Sequence, residues 1–143
     1  MPTAVPINLV TVLCAAIANF VLGFLWYGPL FGKQWMKLMG ITKQQVEKAK
    51  KKGMAKEMIL QFLASLVMAF VLAHALTFAS AYLDVTGASA GLQAGFWNWL
   101  GFIATVSLGC VLWEGKSWKL WFLNNAYSLV GLCMMGVILA VWQ

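Results

Sequence analysis

The sequence contains no arginine, a single histidine and only four acidic residues among 143. Arginine supplies the planar guanidinium that most nucleic-acid readers and phosphate clamps use, so its absence argues against a nucleic-acid partner. Charged residues make up 10% of the chain and hydrophobic residues 62%, whereas soluble domains carry about a quarter charged residues. This balance excludes an ordinary soluble domain and predicts a membrane protein.

Cysteine is also scarce, and the three cysteines, Cys14, Cys110 and Cys133, lie far apart inside apolar blocks. Without a CxxC pair, a disulfide relay or a cysteine metal site has no starting point. The chain also lacks a glycine-rich phosphate loop and a Ser, His and Asp set at one membrane depth. We therefore expect no enzymatic activity, no metal and no cofactor.

Long apolar blocks are what the sequence does contain. Each is long enough for a hydrocarbon layer of about 30 Å, which needs about 20 residues. Trp and Tyr residues stand near the block ends, as expected for rings at the headgroup level. Residues 1–143 are therefore predicted to form a single all-α membrane domain, an integral up-down four-helix bundle. Its predicted spans are 7–27, 58–82, 92–113 and 120–142.

All the lysines fall in two connections, the long loop 28–57 and the short link between the third and fourth spans. The only charged residue in the link between the second and third spans is Asp84. Positively charged short loops stay in the cytoplasm. Both termini are therefore predicted to face outward, into the periplasm, from a bacterial inner membrane.

The long loop has an internal order that predicts a short amphipathic basic helix. Thr42 and Gln45 have the spacing of a capping box, and the basic run after them stops at Gly53. The lysines of this stretch either contact anionic lipid or act as a solvated anchor for topology. The candidate lipid contacts are Lys48, Lys50, Lys51, Lys52 and Lys56.

Small residues recur four positions apart in every span, which places them on one face of each helix. In lipid, helices associate through close packing and interhelical hydrogen bonds, so these faces are expected at helix contacts. The contacts lie inside one bundle or between chains of a homo-oligomer or larger membrane complex. The residues predicted to pack helices are Gly23, Ala69, Ala73, Gly101, Gly109 and Gly136.

Polar residues inside the spans are the candidates for chemistry, because such groups are costly in lipid. Counting from span ends places them in two layers. The outer layer has His74 and Asn98, where His74 either carries protons or binds a ligand, or is a neutral ring bonded to Asn98 or to a backbone carbonyl. The inner layer either lines a cavity or supplies interhelical amide bonds. It contains Asn19, Asn124, Asn125 and Tyr127.

Three stretches, "NFVLGFLWYGPLFGKQW", "TKQQVEKAKKKGMAKE" and "WEGKSWKLWFLNNAYSLVGLCMMGVILAVW", together resemble a family of small bacterial membrane proteins. This family is catalogued as domain of unknown function 1761, and the resemblance covers nearly the whole chain. Its most specific parts are the WYGPLFGK-W turn from Trp26 to Trp35 and the Asn-Ala-Tyr segment 125–127. The resemblance implies an integral membrane protein with four spans and implies no particular activity.

Two functions follow from these features. The first is a non-catalytic accessory or structural membrane subunit, and the alternative is a small oligomeric channel or carrier for a small solute. Continuity of the polar layers separates them, because a solute path must join both layers whereas packing needs only isolated pairs.

Overall fold

The computed structural model describes residues 5–142, which are almost entirely helical and contain no strand. Four helices are long and apolar enough to cross a membrane, which confirms the all-α class with four candidate membrane spans. We name them span 1 to span 4 in chain order. They are Leu9–Leu30, Ala55–Leu83, Gly87–Leu112 and Trp118–Val141.

Span 1 has a defined start and a kinked end. The Asn8 side chain caps its first turn by accepting from the backbone N–H groups of Val10 and Thr11, at 3.1 and 3.3 Å. Its last five residues, Trp26–Leu30, form a π turn in which Gly28 leaves the helical conformation (φ −110°, ψ −105°) ahead of Pro29. The kink leads into a short helix, Gly32–Met39, that packs back against span 4.

A second short helix, Lys43–Lys52, follows, and we call it the lysine helix. Thr42 and Gln45 form a reciprocal capping box at its start, with hydrogen bonds of 2.9 and 3.2 Å. Gly53 ends the helix in a left-handed region (φ 86°) that favours glycine. These local signals explain why the sequence pattern located the helix.

Span 3 differs from the sequence-based expectation at its start and in its middle. It begins at Gly87 rather than at residue 92, because the small residues from Gly87 to Gly91 continue the helix instead of forming a loop. Its middle, Trp99–Ala104, is a π turn. A π turn adds a residue to the helical turn, so the residues after it face a different direction from the one that regular helical spacing gives them.

Span 4 contacts all three other spans. Facing residues run in opposite order along spans 3 and 4, where Gly91 lies against Gly136 and Gly95 against Leu132. Span 3 packs chiefly on span 4, and its contact with span 2 is concentrated in the segment Gly87–Asn98. A groove therefore opens between spans 2 and 3.

The bundle has two chemically different ends. We call the end that carries both lysine-rich connections the lysine end, and the opposite one the terminus end. At the terminus end, the Thr11 hydroxyl donates to the Trp142 carbonyl at 2.6 Å. Between the ends lies an apolar core whose central side chains have no exposed surface. They include Ala15, Ala69, Leu76 and Met135.

Candidate functional site

One buried polar contact joins spans 1 and 2. The Asn19 amide Nδ2 donates to the Ser65 hydroxyl at 3.1 Å, and both side chains are buried. The Asn19 Oδ1 atom packs against span 4, since a Cβ atom placed on Gly131 would lie 2.5 Å from it. Asn19 therefore holds three spans together from one buried position.

A second polar contact joins spans 3 and 4. The Ser107 hydroxyl accepts from Asn125 Nδ2 at 2.9 Å and from Trp121 Nε1 at 3.0 Å. The Trp99 indole adds a third link, donating to the Asn125 backbone carbonyl at 3.0 Å. The two residues of span 3 in this contact stand at the start of the π turn and just beyond it. The turn thus brings both onto the face that meets span 4.

At the lysine end, an aromatic cluster covers the joint between spans 1 and 4. It consists of Trp26, Tyr27, Phe31, Trp35 and Tyr127. The Tyr27 ring lies 5.2 Å from the Tyr127 ring and 5.6 Å from the Trp35 ring, both edge-on. The Tyr27 hydroxyl donates to Asn124 Oδ1 at 2.8 Å. The WYGPLFGK-W turn and the Asn-Ala-Tyr region, distant in sequence, therefore meet in the fold.

One atom of this cluster lacks a partner. The Trp26 Nε1 group is buried, and no acceptor among residues 5–142 reaches it. Its ring instead packs against Phe31, with centroids 4.7 Å apart. The contribution of Trp26 is therefore ring packing rather than hydrogen bonding.

The predicted outer layer of His74 and Asn98 does not form a pair. His74 Nδ1 lies 2.8 Å from the Phe70 carbonyl, and Asn98 Nδ2 donates to the Ala94 carbonyl at 2.8 Å. Each side chain bonds to its own helix, four residues back. Of the two bonds considered for His74, the structure has the one to a backbone carbonyl and not the one to Asn98, because equal depth does not give equal direction around the helix axis.

The predicted inner layer separates into different contacts. Asn124 and Asn125 are neighbours about 100° apart around the helix axis, so they face different helices. Asn124 meets Tyr27 of span 1, and Asn125 meets Ser107 of span 3. Asn19 meets Ser65 instead of either one. Counting depth missed Ser107, Trp99 and Trp121, although Ser107 and Asn125 stand at similar distances from the lysine end.

The prediction that Gly101 and Gly109 of span 3 pack against another helix is wrong. A Cβ atom on Gly101 would meet nothing within 4 Å, and one on Gly109 would make only an ordinary contact with the Trp113 ring at 3.8 Å. Neither glycine packs two helices, because the early helix start and the π turn move the contact face elsewhere. The close approach uses Gly91 and Gly95, where an added Cβ would overlap the backbone of span 4.

The other predicted packing residues lie at contacts. Ala69 and Ala73 are buried in the core. A Cβ on Gly23 would lie 2.8 Å from the Tyr127 hydroxyl, and one on Gly136 would overlap the Gly91 carbonyl. These small side chains are where the spans approach most closely.

The candidate lipid-binding lysines are all exposed at the lysine end. They stand on the lysine helix and on the first turn of span 2. They are Lys48, Lys50, Lys51, Lys52 and Lys56.

Two cavities lie toward the terminus end. One of about 440 Å³ lies between spans 1, 2 and 4, and its deepest lining residues are Thr11, Ala73 and Leu139. The other, of about 160 Å³, occupies the groove between spans 2 and 3. Its lining contains four alanines and the polar residues Ser80, Gln93 and Asn98. Among residues 5–142, no three His, Cys, Asp or Glu side chains are grouped to hold a metal ion.

Comparison with known proteins identifies a family. A family model described as Protein of unknown function (DUF1761) matches residues 10–140, which confirms the resemblance seen in the sequence. No curated protein and no solved structure matches the chain.

Proposed function

We propose that this chain, which belongs to the family described as Protein of unknown function (DUF1761), is a non-catalytic structural subunit of a membrane assembly. One observation carries the proposal: the two predicted polar layers stay separate, and their side chains are engaged in contacts within the fold. Asn19 bonds to Ser65, Asn125 to Ser107, and His74 to its own helix. Groups used in this way hold helices together and leave little for chemistry.

A solute path through one chain has less support. The larger cavity reaches from the terminus end only as far as Thr11, Ala73 and Leu139. Below it, Ala15, Ala69 and Met135 pack in the core and have no exposed surface. A path would have to cross this apolar layer, so we favour the structural subunit over the channel or carrier.

The groove between spans 2 and 3 is the surface we assign to assembly. Its lining places Ala75, Ala79, Ala90 and Ala94 beside polar groups at a depth that lipid tails would cover. Small side chains let a further helix approach closely, and polar groups in hydrocarbon favour a partner that bonds to them.

A second copy of the chain fits the chemistry of this groove. Gln93 Nε2 donates to Ser89 at 3.2 Å and Asn98 Nδ2 donates to Ala94. No donor among the described residues bonds to either side-chain carbonyl oxygen. Side-chain amides both donate and accept, so a two-fold axis through the groove would pair each with its equivalent.

Native mass spectrometry from a gentle detergent tests the assembly. We expect the wild-type chain as a dimer, and we expect Gln93→Leu with Asn98→Leu to reduce the dimer about tenfold relative to the monomer. Gln61→Leu is the matched control, because it removes an exposed amide from span 2 outside the groove. A wild-type monomer, or a dimer insensitive to the groove variants, contradicts the second copy. If a foreign subunit is retained instead, this supports the accessory role, and that subunit replaces the second copy as the partner.

We also propose that the lysine end faces the cytoplasm of a bacterial inner membrane. The support is that all ten lysines lie at that end, in the two connections or in the first turns of spans 2 and 4. Of two reporters fused after the last residue, the one that works in the periplasm should then be active and the one that works in the cytoplasm should be inactive. Activity of the cytoplasmic reporter would reverse the orientation.

A further inference from the structure

The lysine helix is a separately built unit at the membrane boundary. Its capping box and its terminal glycine are local devices, and all its residues except Val46 are exposed. Val46 and Ile41 are both half-buried at the spacing of a hydrophobic staple, which fixes the entry of the chain. The fold of the bundle therefore does not depend on what this helix contacts.

Short tethers hold the lysine helix close to the bilayer. Two residues separate its end at Lys52 from the start of span 2 at Ala55. On its other side, three residues join it to the helix Gly32–Met39, which packs on span 4. If the four spans cross a membrane, the ends of the lysine helix lie within about 10 Å of the membrane boundary.

The charges of this helix are not spread evenly around it. Lys48, Lys51 and Lys52 stand three and four residues apart, which puts them on one face. Lys43 and Lys50 project from another side, close to Val46 at 100° per residue. Five lysines stand against the single acid Glu47. The face of three lysines thus offers several ammonium groups to one surface.

We propose that the face of Lys48, Lys51 and Lys52 binds the phosphate headgroups of anionic lipids in the adjacent leaflet. Each ammonium group carries three donors on a flexible stem, so it reaches phosphates at variable depth. A leaflet rich in anionic lipid attracts juxtamembrane lysines, and the attraction falls off within a Debye length. The staple of Ile41 and Val46 lies away from this face, so contact with the leaflet rests on charge rather than on insertion.

Hydrogen exchange of the full chain in lipid nanodiscs tests the proposal. In phosphatidylcholine alone, the amides of Lys43–Lys52 should exchange quickly, because the helix is short and solvated. Replacing a third of the lipid by phosphatidylglycerol should slow their exchange about tenfold, and high salt should reverse the effect. Equal exchange in both bilayers overturns the proposal.

Two matched variants test which face binds. Lys48→Gln with Lys52→Gln should abolish the slowing, whereas Lys43→Gln with Lys50→Gln should keep most of it. Both remove two charges, and glutamine has nearly the helix propensity of lysine, so the helix itself is preserved. Equal loss in the two variants means diffuse attraction and overturns the face assignment.

A further arm separates lipid from free phosphate. Inorganic phosphate added to phosphatidylcholine nanodiscs should leave the exchange unchanged, because isolated anions lack the array of charge that a leaflet presents. Slowing by phosphate alone would assign the site to a soluble anion and overturn the lipid assignment. Unchanged protection of span 4 in every sample shows that the bundle is intact.

Discussion

Replacing Gly95 by alanine should separate spans 3 and 4. The added Cβ would lie 2.6 Å from the Leu132 carbonyl oxygen and 2.7 Å from the Cys133 Cα. Both atoms belong to the backbone, so no side chain can turn away. Ordinary contacts begin at 3.4 Å, so the helices must move apart by about 0.8 Å at this position.

The free-energy cost of Gly95→Ala also includes the packing that is lost at the neighbouring turn. Gly91 and Gly136 approach backbone to backbone one turn away, so a shift at Gly95 loosens that contact too. Overpacking of this kind costs about 1 to 3 kcal/mol. The higher helix propensity of alanine offsets little of it, because membrane helices are already formed before they associate.

Gly101→Ala is the matched control. It makes the same substitution on the same span, where the new Cβ meets nothing within 4 Å, so we expect a change below about 0.5 kcal/mol. Unfolding in mild detergent, followed by tryptophan fluorescence, measures both variants. A Gly95→Ala variant as stable as wild type, or an equal loss at Gly101, would refute the assignment of the contact face.

Two further predictions concern the polar contacts, with unfolding in detergent as the measurement. Ser65→Ala should cost about 0.6 to 1.7 kcal/mol, because Asn19 loses its buried acceptor, whereas Ser128→Ala should cost little, because Ser128 bonds only to its own helix. Equal effects would show that the Asn19 contact adds nothing. Tyr27→Phe should cost about 1 kcal/mol through loss of the bond to Asn124, whereas Tyr82→Phe, on a side chain 89% exposed, should change nothing. If Tyr27→Phe leaves the stability unchanged, the hydrogen bond to Asn124 does not help to hold the aromatic cluster in place.

The parts of the fold that the sequence predicted well depend on local chemistry. The apolar blocks indicate the spans because burial in lipid is set by composition over about 20 residues. Thr42, Gln45 and Gly53 indicate the lysine helix because its caps are formed within a few residues. Neither inference needs knowledge of which helix lies beside which.

The contacts that the sequence failed to predict depend on direction around the helix axis. Gly101 and Gly109 have regular spacing, but the π turn from Trp99 to Ala104 breaks the regular geometry that this spacing assumes. In that turn, Trp99 reaches the Asn125 carbonyl on another span, and no local pattern contains that partner. His74 and Asn98 were matched by depth alone, and depth leaves direction undetermined.

The WYGPLFGK-W turn forms a single joint with span 4. The kink at Gly28 and Pro29 turns the chain back, so that Trp35 packs on the Tyr27 ring and Tyr27 bonds to Asn124 of span 4. The same turn sets where the helix Gly32–Met39 lies, and through it where the lysine helix begins. A stretch rich in Trp, Gly and Lys therefore needs no catalytic role to explain it. Its aromatic rings fix the joint, its glycine permits the kink, and the lysines that follow stand at the lysine end.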